Sequence, residues 1–298
     1  MTGGPIDLLG RALRVLGVVL VVAYSALVMA RVSGAMPPDA VTYLAAGERL
    51  NAGHPLYAIS PGDRPVTTEV AGNPAPLLSP PGIAIIWRPL AALGEWTVTA
   101  WWLVGSALFV LALALVVWRA WPTIAIVLLV LDPIAWLVAF GNVHTYIAAG
   151  FVALWFVRDR PWAAAVLAVS MTAVKLTPAP LVLWAARDRR MWLPILVTSG
   201  VWLAAILVLA PGALPAYVEL MRTGSGGILW PVLILGLVAT LGLPPRVAFA
   251  AAVVTATVAT TSVGIHWLAV LPIALTPWVL PGADTWPVRR STRPATAS

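Results

Sequence analysis

The sequence predicts an all-α polytopic membrane helix bundle with about 8–10 membrane segments, some half-length, and a large first outer loop carrying two interface helices. Three observations predict it. The 298 residues are 61% hydrophobic and 10% charged, where soluble domains carry about 25% charged residues. Apolar runs approaching the ~20 residues that cross a bilayer recur along the chain. The basic residues, 17 Arg and one Lys, lie between those runs rather than in one patch. That spacing excludes a nucleic-acid face and fits the positive-inside rule. No cysteine is present, which excludes a disulfide framework and a thiolate metal site.

The first run, roughly residues 12–30, carries Arg14 at its start. Arg11 and Arg14 ahead of an apolar core have the look of a signal peptide, but the core is long for one. Spans follow at about 97–118, 122–138, 142–157, 191–210, 228–243, 247–263 and 266–280, after a first at about 13–30. Residues 161–186 are broken by Lys175, Pro178 and Pro180, with Arg158 and Arg160 at one end and Arg187, Arg189 and Arg190 at the other. Two half-length helices turning near Lys175 keep both Arg clusters on the same side; broken helices at membrane depth occur where they line a cavity. This layout puts twelve basic residues inside and six outside, the split the positive-inside rule asks for. Residues 1–280 are read as one domain and 281–298, rich in Pro, Thr, Ser and Arg, as a disordered cytoplasmic tail.

The outer loop, 31–96, is too long for a plain linker. It holds a helix candidate at Ala40–Ala52, ended by Gly53, and an apolar run at Pro81–Leu93 introduced by Pro80-Pro81. Both read as helices lying in the interface plane. The 16 Trp residues read as an aromatic belt near the span ends.

Asp39, His54, Asp132, Asn142, His144, Lys175 and His266 all fall at or near the outer side in this layout; ionisable groups at membrane depth are expensive and mark functional paths. Each also has a structural reading. Asp39 precedes a helix and can be its N-cap, accepting from the amides of Val41 or Thr42, a position that lowers a carboxyl pKa. Lys175 can snorkel to headgroups, His266 can anchor the last span beside Trp267, and Asn142 fits a tight reversal between two spans. Asp132, before Pro133, can end a helix, and His54 can be a surface loop residue.

Asp39-Ala-Val-Thr-Tyr43-Leu-Ala-Ala-Gly47, followed by Gly53-His-Pro-Leu-Tyr57, resembles the first outer loop of the C-superfamily membrane glycosyltransferases. The likeness is greatest to family 87, the polyprenol-phosphate-mannose-dependent mannosyltransferases of the actinobacterial envelope. Ser79-Pro-Pro-Gly82 and Pro89-Leu-Ala-Ala-Leu93 resemble the family's proline-rich second interface helix. Gly141-Asn-Val-His144 resembles its turn, with Asn142 and His144 standing where the family has glutamine and asparagine. Lys175-Leu-Thr-Pro178 resembles its lysine-to-proline break, and His266-Trp267 before Leu271-Pro272 resembles its late histidine.

The resemblance implies an inverting transfer of a sugar, mannose preferred, from a polyprenyl phosphate to an envelope glycolipid or lipoglycan. The active site would lie on the extracytoplasmic side of the plasma membrane. It implies Asp39 as general base, with Lys175 and His266 on the donor phosphate and Asn142, His144 and Tyr43 binding substrate. No metal and no cofactor are expected. Three alternatives stay open. The first is an arabinofuranosyltransferase using decaprenyl-phosphate arabinose, and the second is a transporter or flippase of a lipid-linked sugar. The third is an inactive, shortened member that scaffolds envelope enzymes.

Overall fold

A computed structural model describes residues 5–32, 36–64, 77–119, 123–223, 229–259 and 265–280, with the side chains of 5–8, 32, 123 and 265–267 left outside the description. Among the described residues every regular element is helical. The all-α membrane bundle predicted by composition and periodicity is the fold found. The tail from 281 lies outside the described residues.

Helix α1 (Pro5–Val32) runs up the edge of the bundle. The short helices α2 (Pro38–Ala52) and α3 (Pro81–Ala92) then pack on one another at one end of it. Each begins with a proline in the first turn, where a missing N–H breaks no helical bond. Gly53 closes α2 in the left-handed region at φ 72°, donating to Leu50 O while His54 N–H donates to Arg49 O. Both lie where the sequence places them, and at 15 and 12 residues neither is long enough to span.

Helix α4 (Trp96–Arg119) crosses through the centre. After it, α5 (Thr123–Leu129) and α6 (Leu131–Phe140) replace the single span expected at 122–138. The interruption has a physical cause: Pro133 has no N–H to donate to Leu129 O, and the chain relaxes at Val130. Helix α7 (His144–Val157) leaves α6 at 112° across a three-residue turn.

Helices α8 (Pro161–Val174) and α9 (Ala179–Ala186) are the expected half-length pair, meeting through 175–178. Lys175 is extended there (φ −152°, ψ 127°). A 3-10 turn (Arg189–Met191) leads into α10 (Trp192–Leu209). Helix α11 (Ala213–Arg222) is an element the sequence reading lacks. Helices α12 (Trp230–Gly242) and α13 (Pro245–Val258), a 3-10 segment (Ile265–Leu275) and α14 (Thr276–Val279) complete the bundle. By length and apolar composition three helical stretches can cross a membrane alone, Leu9–Arg31, Trp96–Arg119 and Arg189–Leu209, and the bent α6–α7 pair is either a fourth, broken span or a re-entrant loop. The other expected spans are helices of 10–17 residues, shortened by prolines and glycines.

Close helix crossings need small residues, because lipid gives no hydrophobic push between helices. A Cβ on Gly47 would sit 2.5 Å from Trp87 O, so α2 crosses α3 in backbone contact. A Cβ on Gly82 would strike Ala173 O of α8. One on Gly105 would meet Thr145 and Tyr146 of α7 at 2.6 Å.

The belt reading is compatible with only part of the tryptophans. Trp96, Trp118, Trp162, Trp192 and Trp230 are exposed at helix ends. Trp87, Trp155 and Trp184 are instead fully buried. Trp155 and Trp184 form a cluster with Phe249 at the end of the bundle away from α2, where the Arg158 guanidinium lies 4.5 Å over the Trp155 ring. Nearby, Arg187 donates to Thr240 O (3.0 Å) and Leu243 O (2.6 Å), satisfying carbonyls left open at the end of α12. Arg187→Ala is expected to destabilise the protein by about 1–2 kcal/mol, read as a lower Tm in detergent.

Candidate functional site

Asp39 sits in the first turn of α2, outside the spanning helices, and is half-buried. It is not the N-cap. Pro37 occupies that position, no side chain caps the helix, and Thr42 turns its hydroxyl back to Pro38 O (2.9 Å). The Pro37-Pro38 pair moves the helix start two residues earlier than a cap at Asp39 requires. The carboxylate is thereby released from local duty.

It points instead at a turn more than 100 residues away. Asn142 Nδ2 donates to Asp39 Oδ2 at 2.5 Å. Asn142 Oδ1 accepts from the His144 backbone N–H (2.9 Å) and lies 2.7 Å from His144 Nδ1. The Asn142 backbone carbonyl accepts from Thr145 N–H (3.1 Å) and Thr145 Oγ1 (2.8 Å). Val143 N–H reaches Tyr43 Oη at 3.4 Å. The turn chemistry expected of Asn142 is present, and the same side chain also holds the acid. Asn142 and His144 are 4% and 1% exposed, so both are fixed in the interior.

Gly141 makes the approach possible. It ends α6 at φ 62°, and a Cβ there would lie 2.8 Å from Pro37 Cβ and 3.2 Å from Ala40 Cβ. The start of α2 therefore rests directly on Gly141. Around it stands an aromatic wall that the sequence reading did not single out. Trp101 donates to Gly141 O (3.2 Å), Trp102 to Val138 O (2.7 Å), and Tyr146 to Trp101 O (2.7 Å). The Trp101 ring lies 4.2 Å from Tyr146 and 5.2 Å from Trp87, and Tyr43 stands 6.3 Å from both tryptophans.

Lys175 is half-buried at the α8–α9 break, and its charge acts on Asp39. Burial pushes the Asp39 carboxyl above the usual carboxylate range; the Asn142 N–H and the Lys175 charge pull the other way and offset only part of it. The lowered pKa expected of a cap is therefore reversed. Asp39 thus has a fixed N–H donor on one oxygen and lies within the field of Lys175.

The other sequence candidates divide. His266 is the second residue of the 3-10 segment that packs on α6 and α13, and its side chain lies outside the described residues. His54 follows the far end of α2 and faces Asp63 (3.4 Å). Asp63 is the hub of that loop, accepting also from Arg49 Nε (2.8 Å) and Ser60 N–H (2.7 Å). Asp132 is exposed eight residues before the end of α6, about 12 Å down the helix from Asp39's partner turn. With Arg31, Tyr24 and Trp136 it lines a separate cavity of about 300 Å³ between α1 and α6. Neither His54 nor Asp132 belongs to the Asp39 cluster.

The model of glycosyltransferase family 87 matches residues 78–292, which takes in the Gly141–His144 turn, Lys175 and His266 and begins after Asp39 and Tyr43. No curated protein and no solved structure matches the chain. The family match covers well over half of the sequence, and the chain belongs to glycosyltransferase family 87.

Proposed function

We propose that the protein transfers a sugar, mannose preferred, from a polyprenyl-phosphate donor to an envelope glycolipid or lipoglycan, at the extracytoplasmic face of the plasma membrane. Asp39 is the general base. It takes the proton of the acceptor hydroxyl as that oxygen attacks the anomeric carbon; the bond from that carbon to the phosphate oxygen breaks, and polyprenyl phosphate leaves with the electron pair. The anomeric configuration inverts. Lys175, at the break between α8 and α9, stabilises the charge that grows on the leaving phosphate, and His266 joins it.

The observation that carries this reading is the Asp39 carboxylate itself, freed from capping, held by Asn142 and within the field of Lys175. Family membership supports the transferase class. The split of basic residues between the two sides supports an outward-facing site, where nucleotide sugars are absent and the donor must be lipid-borne.

Membranes containing the protein, given radiolabelled polyprenyl-phosphate mannose and a panel of envelope acceptors, are expected to glycosylate at least one acceptor. They are expected to leave labelled nucleotide sugars untouched. Use of a nucleotide sugar contradicts the donor assignment. Movement of labelled lipid across the bilayer without sugar transfer identifies a transporter instead.

A further inference from the structure

We propose that His144 is a positioning residue for Asp39, acting through Asn142: its two N–H groups hold one end of the Asn142 carboxamide, and this fixes the other end on the carboxylate. The purpose of the arrangement rests on Asp39 being the base; the hydrogen-bond chain itself does not.

A carboxamide is two-ended, and its terminal torsion is broad and roughly two-fold. Rotated by half a turn, Asn142 keeps its shape but presents oxygen to a carboxylate and N–H to N–H. His144 prevents that rotation. Its backbone N–H and its Nδ1 both address Asn142 Oδ1, at 2.9 and 2.7 Å. The Nδ1 contact requires the proton to be on Nδ1, since a bare ring nitrogen facing a carbonyl-type oxygen makes no hydrogen bond. The backbone N–H is set by the first turn of α7, which Thr145 staples to Asn142 O through two further bonds. With Oδ1 held twice, Nδ2 is left to face Asp39 Oδ2. Lys175 also acts on the acid, from the α8–α9 break, and the acid's charge acts in turn on Tyr43, on its own helix.

This differs from a histidine that binds the donor phosphate. Such a residue acts through Nε2, whereas a positioning histidine acts through Nδ1. Two amide variants separate the cases. His144→Asn places an amide nitrogen near the Nδ1 position, and His144→Gln places one near the Nε2 position.

The measurement is the titration of Asp39 itself, in purified protein without substrate. A diazo reagent esterifies only the protonated acid, and mass spectrometry reads the modified peptide across pH. His144→Asn is expected to leave the Asp39 midpoint at its wild-type pH. His144→Gln and Asn142→Ala are expected to raise it by about one pH unit, because a donor to the charged form is lost or disordered. Adding His144→Gln to Asn142→Ala is expected to move it no further. Sugar transfer is expected to follow the same order, with His144→Asn retained and His144→Gln impaired.

The opposite order, His144→Gln retained and His144→Asn impaired, overturns the proposal in favour of an Nε2 role. An Asp39 midpoint unchanged in both His144→Gln and Asn142→Ala overturns it too. Variants that show the predicted midpoint shifts, beside a wild type that transfers no sugar, remove the reading of function and leave the positioning role standing.

Discussion

Asp39→Asn is expected to lower sugar transfer by roughly 10²–10⁴-fold while leaving the protein folded. The substitution keeps shape and removes the proton acceptor. It also removes a half-buried carboxyl whose charged form is disfavoured by burial, so no loss of stability follows from desolvation. The amide is able to keep a contact with Asn142 by turning its own oxygen toward Nδ2. Tm in detergent should therefore stay close to wild type while product formation from polyprenyl-phosphate mannose collapses. Asp39→Ala is the harsher control, since it also strands the Asn142 N–H. Full transfer by either variant removes Asp39 from the mechanism.

Gly141→Ala is expected to be the most damaging single methyl in the protein's described turns. Two effects act at the same atom. The residue is left-handed at φ 62°, a conformation that costs an ordinary side chain about 1–3 kcal/mol where structure enforces it. The new Cβ would also lie 2.8 Å from Pro37 and 3.2 Å from Ala40, an overpacking worth about another 1–3 kcal/mol. The relief available is for the start of α2 to lift off the turn. That motion carries Asp39 away from Asn142, so both Tm and transfer should fall. A variant with wild-type Tm but lost transfer would show that α2 shifts without unfolding; wild-type values of both would refute the packing described.

Much of this was legible in the sequence, for reasons that can be named. Short-range signals located the elements at the site: the Pro-Pro starts of α2 and α3, Gly53 after α2, and the Lys175–Pro178 break in an apolar run. The same signals drew Asp39, Asn142, His144 and Lys175 to one end of the bundle, and the structure brings these four together with Tyr43. What could not be read was pairing across long separations. That Gly141 carries a turn is visible in Gly-Asn; that it must also admit Pro37 is not, because the partner lies 104 positions away. The Trp87–Trp101–Tyr146 wall was hidden by the belt reading, since an aromatic near a helix end looks the same whether it faces lipid or a neighbouring helix.

Two misreadings had local causes. Asp39 before a helix looks like a cap, and only the placement of Pro38 in the first turn shows that it is not. Helix α11 was missed although Leu214, Tyr217 and Met221 repeat at helical spacing, because Gly212 and Pro215 near its start resemble loop punctuation. Tyr217 packs at 5.7 Å from Tyr57, so this helix covers the loop that follows α2.

The pH dependence of transfer tests the assignment of the base most directly. A base must be ionised to accept a proton, and a carboxyl held above its usual range becomes protonated at a higher pH than a solvated one. The kcat/KM of the wild type in proteoliposomes is therefore predicted to fall on the acid side at a pH above the ordinary carboxylate range. In Asp39→Asn the residual transfer is predicted to lose that fall and run flat across the same interval. An acid limb that persists unchanged in Asp39→Asn would contradict the account.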